Sequence, residues 1–368
     1  MAERRRGRGC PTPLEKGSPL IHVIDFFSGC GGTSLGFRQA GMKIAAGIDC
    51  DADAARTYRR NFPEATFIER RIEDAEDDVA DVIAAQPEGL LLFSGCAPCQ
   101  PFSRIRRDGI QDRRRGLLDY FGGMIERFHP ALVFVENVPG LEGRAVHTGP
   151  FQGFLRLLRQ LGYHFDFRIV SSQEYGVPQY RRRLVVMASL FSTPPFPDPT
   201  HGPGAPSDTF SPAWEWIRRF PPLSAGEAHA SIPNHRAARL SQLNLQRISA
   251  TPPGGGRQDW PPELVLDCHK RMSGGYTDVY GRMHKDRPAS ALTTRCISLS
   301  NGRFGHPEQD RAISVREAAA LQTFPNDFVF EGSFISGAKQ VGNAVPVLLA
   351  RRFGEAFVRH VRSRDSSG

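Results

Sequence analysis

The 368-residue sequence has no uninterrupted apolar run of the roughly 20 residues that a membrane-spanning helix needs. Its N-terminus is basic but lacks the apolar core of a secretory signal. Cysteine is sparse and odd in number, 7 residues, which speaks against a disulfide framework and for a reducing compartment. Cys96 and Cys99 have the Cys-x-x-Cys spacing, yet Cys268 and His269 do not supply the second ligand pair of a zinc site. No internal repeat is present, and no Gly-x-Gly-x-x-Gly follows the first apolar run, so the usual dinucleotide fingerprint is excluded. A soluble, intracellular chain with no membrane partner is expected.

What is there is an ordinary globular composition, 40% hydrophobic and 23% charged. The formal net charge of +8 favours a polyanionic partner. Arginine triplets stand at Arg4–Arg6, Arg113–Arg115 and Arg181–Arg183, while acids gather between Glu64 and Asp81. Residues 1–19, rich in Arg, Gly and Pro, read as a disordered basic tail. Short apolar runs then alternate with amphipathic stretches. Strands are predicted at Ile21–Phe27, Lys43–Ile48, Gly89–Phe93, Ala131–Val135, Phe165–Val170 and Leu184–Ala188, and helices at Ala52–Asn61, Leu117–Phe128 and Phe151–Leu161. This rhythm implies an α/β fold with a doubly wound, mostly parallel sheet. It stops after Leu190, where Pro/Gly-rich sequence begins. A catalytic domain over 20–190, completed by 335–368, and a smaller irregular domain over 191–334 follow from that break.

Ligands of open α/β sheets bind outside the carboxyl ends of the strands. Three strand ends carry chemistry. Asp25-Phe26-Phe27-Ser28-Gly29-Cys30-Gly31-Gly32 closes the first strand and opens a helix near Ser34, so glycines and a helix N-terminus meet a ligand there. Asp49 ends the second strand, where ribose-binding carboxylates sit in such folds. Cys99, in Pro98-Cys99-Gln100, follows a third apolar run, and Glu136, in Glu136-Asn137-Val138, follows a fourth. A thiol near arginines can serve as a nucleophile. A carboxyl partly buried behind an apolar strand favours its protonated form and can donate to a bound base. Arg181 and Arg183, at alternate positions leading into the strand Leu184–Ala188, share a face and can hold Glu136, a phosphate or a carbonyl oxygen.

These segments, with Gln179–Arg183, Arg287-Pro288-Ala289, Leu292-Thr293, Arg316-Glu317 and Gly342-Asn343-Ala344-Val345-Pro346, occur in one order from Ile21 to Pro346. In that order the chain resembles the S-adenosylmethionine-dependent DNA cytosine-5 methyltransferases, of the prokaryotic restriction-modification or orphan type. The resemblance implies a Rossmann-like methyltransferase fold with a target-recognition region at about 191–285. It implies attack of Cys99 on carbon 6 of a flipped-out cytosine, Glu136 at nitrogen 3, Arg183 on the base carbonyl and Arg181 supporting Glu136 or a closed loop. For the cofactor S-adenosylmethionine it implies Phe27 at the adenine, Gly29, Cys30 and Gly32 near the methionine end, Asp49 at the ribose, and Cys50, Pro98, Leu118 and Asn343 completing the pocket. The loop from Ser103 to Gly116 would close on DNA, with Gln100, Ser103, Arg104, Arg106, Arg107 and Arg113 as contacts. Double-stranded DNA is the implied partner, met as a monomer in the cytoplasm at the nucleoid, with a cognate restriction endonuclease where such a system exists.

The sequence departs from the family pattern at three places. Arg71 precedes Ile72 where an adenine-contacting Asp is common, leaving Glu73 or Asp74 as substitutes. Cys50 stands where a large apolar residue often covers the adenine, and Cys96 where a glycine-like residue is usual. A transfer-RNA-modifying branch with the same fold carries Cys-Phe-Thr in its recognition region, a tripeptide missing here.

Overall fold

The computed structural model describes residues 20–97, 116–139, 149–267 and 278–365. Strand β1 (Ile21–Phe26) is followed by α1 (Gly32–Gln39), β2 (Lys43–Ile48), α2 (Ala52–Asn61), β3 (Thr66–Ile68), α3 (Glu76–Ala84) and β4 (Leu90–Gly95). Then come α4 (Leu117–Phe128), β5 (Leu132–Asn137), α5 (Pro150–Gln160), β6 (His164–Ser171) and β7 (Arg182–Ser189). The sheet order is β3-β2-β1-β4-β5-β7-β6. The first five strands pair in parallel, and β7 enters antiparallel between β5 and β6. This is the expected mostly parallel α/β sheet.

Period-two alternation distributes the strand side chains to two cores. Val23, Leu92, Phe134, Val185 and Met187 join one, and Ile24, Phe93, Val133, Val135, Leu184 and Val186 the other. Both faces are therefore covered, as near-continuous apolar strands require. The first of these cores also takes in Phe304, Ile313, Val315 and Leu321 from the later sequence. The short strand β3 carries only three residues and too little apolar sequence to stand out from its flanks.

After Ser189 the chain turns irregular, with short helices α6 (Ala213–Ile217) and α7 (Gln242–Ser249) set among loops. Helix α8 (Val315–Leu321) starts with a capping box in which Ser314 Oγ accepts from Glu317 N–H and Glu317 accepts from Ser314 N–H. Helices α9 (Phe334–Asn343) and α10 (Val347–Asp365) bring the chain back to the sheet. Helix α10 packs on α1, where a side chain at Gly36 would run into the backbone of α10 and Ala350. Among the described residues no helix is long and apolar enough to cross a membrane.

Candidate active site

A cavity of about 760 Å³ opens at the carboxyl ends of the parallel strands. Its wall takes residues from the turn after β1, the end of β2, the segment after β3, the end of β4 and the end of β5. The close of α9 with the two residues after it, the segment 292–294, Leu117, Arg181 and Arg183 complete it. Open α/β sheets place their ligands at this edge.

One end of the cavity is the glycine turn. Phe27 holds a left-handed conformation at φ 56°, rare for an aromatic residue and a local strain. Gly29 (φ 53°) has open space where a Cβ would project. Gly31 (φ 91°) caps α1, with a position that any side chain would contest with the Phe62 ring. Gly29 N–H donates to Asp49 Oδ2 at 2.9 Å, and Asp51 N–H donates to Oδ1 at 2.9 Å. Burial raises the Asp49 carboxyl above its ordinary value while those two backbone donors oppose the shift. Below the turn Asp25 is fully buried; its Oδ2 accepts from Ser34 N–H and Oγ–H, which anchors the start of α1. Burial lifts Asp25 to about 6.

The other end is charged. Glu136 lies within β5, opposite Val185 of β7, and Arg183 lies within β7 opposite Val170. Both were expected just outside their strands. Arg183 Nε sits 2.6 Å from Glu136 Oε1, both side chains being largely buried. The N–H does not point along a hydrogen-bond line, so among the described residues Oε1 has no hydrogen-bond partner. Glu136 is thus a buried, ion-paired carboxyl, and of the groups that the arginine pair was expected to hold, Arg183 meets this one. Asn137 Nδ2 donates to the Ala97 carbonyl at 3.1 Å, which ties the segment leading to Cys99 onto the end of β5.

Arg181 is buried and shares a coulombic interaction with Glu136 but no hydrogen bond, while the loop it was alternatively expected to support lies outside the described residues. Its Nη1 donates to Leu292 O at 3.1 Å, and Nη1 and Nη2 both donate to Gly342 O at 3.2 Å. Full burial, with the like charge of Arg183, lowers it to about 9. The difference between the two arginines follows from position: Arg183 is held by the sheet, whereas Arg181 precedes it and faces returning loops.

Phe27, Gly29, Cys30, Gly32, Asp49, Cys50 and Asn343 all line the cavity, as do Glu136, Arg181 and Arg183. Leu118 does not; it packs into the core beneath, and Leu117 takes the wall. Neighbouring helical residues differ by about 100° in direction, so a one-residue error changes the face. Of the two acids proposed to replace the missing Asp, Glu73 reaches the cavity with Arg70 and Arg71, and it accepts from Arg71 Nε at 3.0 Å. Asp74 stays exposed. Cys96 Sγ contacts Thr33 Oγ1 at 3.5 Å on the cavity wall, and burial holds its thiol well above the ordinary value. Burial likewise raises Cys30 to about 12. Pro98, Cys99, Gln100, Ser103, Arg104, Arg106, Arg107 and Arg113 lie outside the described residues. Lys339 was not anticipated: it lines the cavity and binds Asp51 at 2.7 Å, and no pattern in a short helix distinguishes it from a solvated lysine.

A family model described as C-5 cytosine-specific DNA methylase matches residues 21–359. Type II methylase M.HgiDII of Herpetosiphon aurantiacus is 39% identical over 92% of this chain and 95% of its own length. Type II methyltransferase M1.HphI of Haemophilus parahaemolyticus is 33% identical over 92% of this chain and 87% of its own. Among solved structures, DNMT2 of Spodoptera frugiperda covers 92% of this chain and 99% of its own with a TM-score of 0.63 at 17% identity, a likeness of fold. The chain belongs to the C-5 cytosine-specific DNA methylase family and is a DNA cytosine-5 methyltransferase.

Proposed function

We propose that the protein methylates carbon 5 of a specific cytosine in double-stranded DNA, using S-adenosylmethionine and a base turned out of the helix into the cavity. The observation that carries this reading is one cavity with two unlike ends: a glycine turn beside Asp49, and the Glu136–Arg183 pair. The volume suits a ligand of that size. The residues also fit its chemistry. Gly29 leaves its Cβ direction open to a close backbone approach, and Asp49 is held at the strand end by two backbone donors, oriented as an acceptor for a diol. Phe27 offers a ring on the same wall.

When bound, S-adenosylmethionine supplies an electrophilic methyl group on a sulfonium. The protein must make carbon 5 of cytosine a nucleophile. The Cys99 thiolate adds to carbon 6, and the displaced electron pair leaves carbon 5 nucleophilic, with charge spreading toward nitrogen 3. Glu136, once Arg183 turns to the base carbonyl and the carboxyl has taken up a proton, protonates or hydrogen-bonds nitrogen 3. Once carbon 5 carries the methyl, its proton departs to solvent, the ring double bond re-forms as the Cys99 thiolate is expelled, and the proton on nitrogen 3 returns to Glu136. Extrusion of the base costs a few kcal/mol of unstacking, and the basic balance of +8 suits the phosphates alongside.

A duplex carrying 5-fluorocytosine blocks loss of the carbon 5 substituent. An adduct that survives SDS is expected with the wild type and is expected to vanish in Cys99→Ala. No adduct on any duplex tried would overturn the reading, and methylation of transfer RNA in a parallel assay would redirect it. Bisulfite sequencing of host DNA reads out the target sequence.

A further inference from the structure

Two buried carboxamides outside the reacting ends form a hydrogen-bonded circuit with Arg181. Gln179 and Gln322 are both fully buried. Leu292 N–H donates to Gln179 Oε1 at 2.8 Å. Gln179 Nε2 donates to Gln322 Oε1 at 2.9 Å. Gln322 Nε2 then donates to Val341 O at 2.7 Å and to Ala344 O at 2.9 Å, straddling Gly342 and Asn343. Arg181 closes the ring from the other side through Gly342 O and Leu292 O. Every hydrogen-bonding group of the Gln322 amide is used, and its orientation is set by those partners. Gly342 leaves no slack, because a Cβ there would fall 2.2 Å from Thr293 O.

Leu292, Thr293, Gly342 and Asn343 all line the cavity, whereas neither carboxamide does. The circuit therefore fixes a stretch of wall drawn from three distant parts of the chain. We propose that Gln322 is a positioning residue for the cofactor: working through Gln179 and the Val341 and Ala344 carbonyls, it holds the Gly342–Asn343 turn where it contacts bound S-adenosylmethionine. This rests on the reading of the cavity as the cofactor site. The residue touches no reactant. Fully satisfied buried networks of this kind confer a unique arrangement, and a half-satisfied one is costly.

The test compares wild type with Gln322→Met, similar in length but unable to hydrogen-bond, by calorimetric binding of S-adenosylhomocysteine. Tight binding to wild type establishes the cofactor reading by itself; its absence defeats that reading, and the proposal falls with it. Given wild-type binding, the dissociation constant is expected to rise about tenfold in Gln322→Met. The yield of fluorocytosine adduct at saturating cofactor is expected to fall less than threefold. A merely structural residue would lower both together or neither, and either result overturns the proposal. Should Gln322→Met fail to fold, Gln179→Met carries the same test. It leaves the two bonds to Val341 and Ala344 in place, so a rise of two- to fivefold is expected, and an unchanged constant overturns the proposal.

Discussion

Glu136 and Arg183 come from distant parts of the sequence and meet at the charged end of the cavity. Their side chains meet at 2.6 Å because β5 and β7 run antiparallel and adjacent, a juxtaposition of distant segments that depends on the sheet order. Glu136→Gln keeps the shape and hydrogen-bonding reach but removes the acid. Turnover is expected to fall 10²- to 10⁴-fold, the usual contribution of a positioned proton donor, with S-adenosylhomocysteine affinity within about threefold of wild type. Steady-state kinetics with calorimetry check this; turnover within threefold of wild type would remove Glu136 from the reaction. The identities of Glu136, Arg183 and Asp49 were legible because each ends or enters an apolar run. Which arginine meets the acid was not, since alternation gives a shared face and says nothing of what stands opposite it. The left-handed Phe27 was equally hidden: nothing in an aromatic side chain announces a positive φ.

Elements were read most securely where periodicity was strong. Helices α2 and α4 have the expected bounds, since an amphipathic pattern with acids or a cap at its head leaves few alternatives. Strand ends ran longer than expected at Glu136 and Arg183 because charged residues that pair with one another can continue a strand that apolar patterning alone would stop. The later region resisted reading for the opposite reason. Its buried Arg282, Arg311 and Arg316 hold loops through carbonyl oxygens, a contribution to which hydrophobic periodicity is blind. Helix packing supplies a direct test. Gly36→Ala would put a methyl about 2.6 Å from the Val347 carbonyl and the Arg351 amide, so α10 must shift. Destabilisation of about 1–3 kcal/mol is expected from such overpacking, measured by urea unfolding. A midpoint equal to wild type would show that α1 and α10 do not bear on each other as tightly as the structure implies.

At the scale of the whole molecule, acid stability has two opposed sources. His306 is buried, with Nδ1 accepting from Glu308 N–H and Gln309 N–H, an arrangement that protonation would break. Burial lowers it from 6.5 to about 4. Its contribution is therefore complete above pH 6.5 and is lost as the pH falls toward 4. A ceiling on the order of 3 kcal/mol follows from linkage. Asp25, raised to about 6, works the other way and weakens the fold as the pH rises from about 4 to 6. The difference between wild type and His306→Asn isolates the first effect. Loss of stability between pH 6.5 and 4.5 is expected to be smaller in the variant by urea titration, and equal pH slopes would contradict the assignment. The same scale brings out a consequence of the α1–α10 contact. The first helix of the sheet is covered by a segment that leaves the ribosome long after it, and the Phe353 ring of α10 packs at a tilt against Phe134 of β5. During synthesis one face of the nascent sheet thus stays without its cover until translation reaches residue 365, which makes the unfinished polypeptide a natural client for a chaperone and a premature stop before residue 347 a route to aggregation.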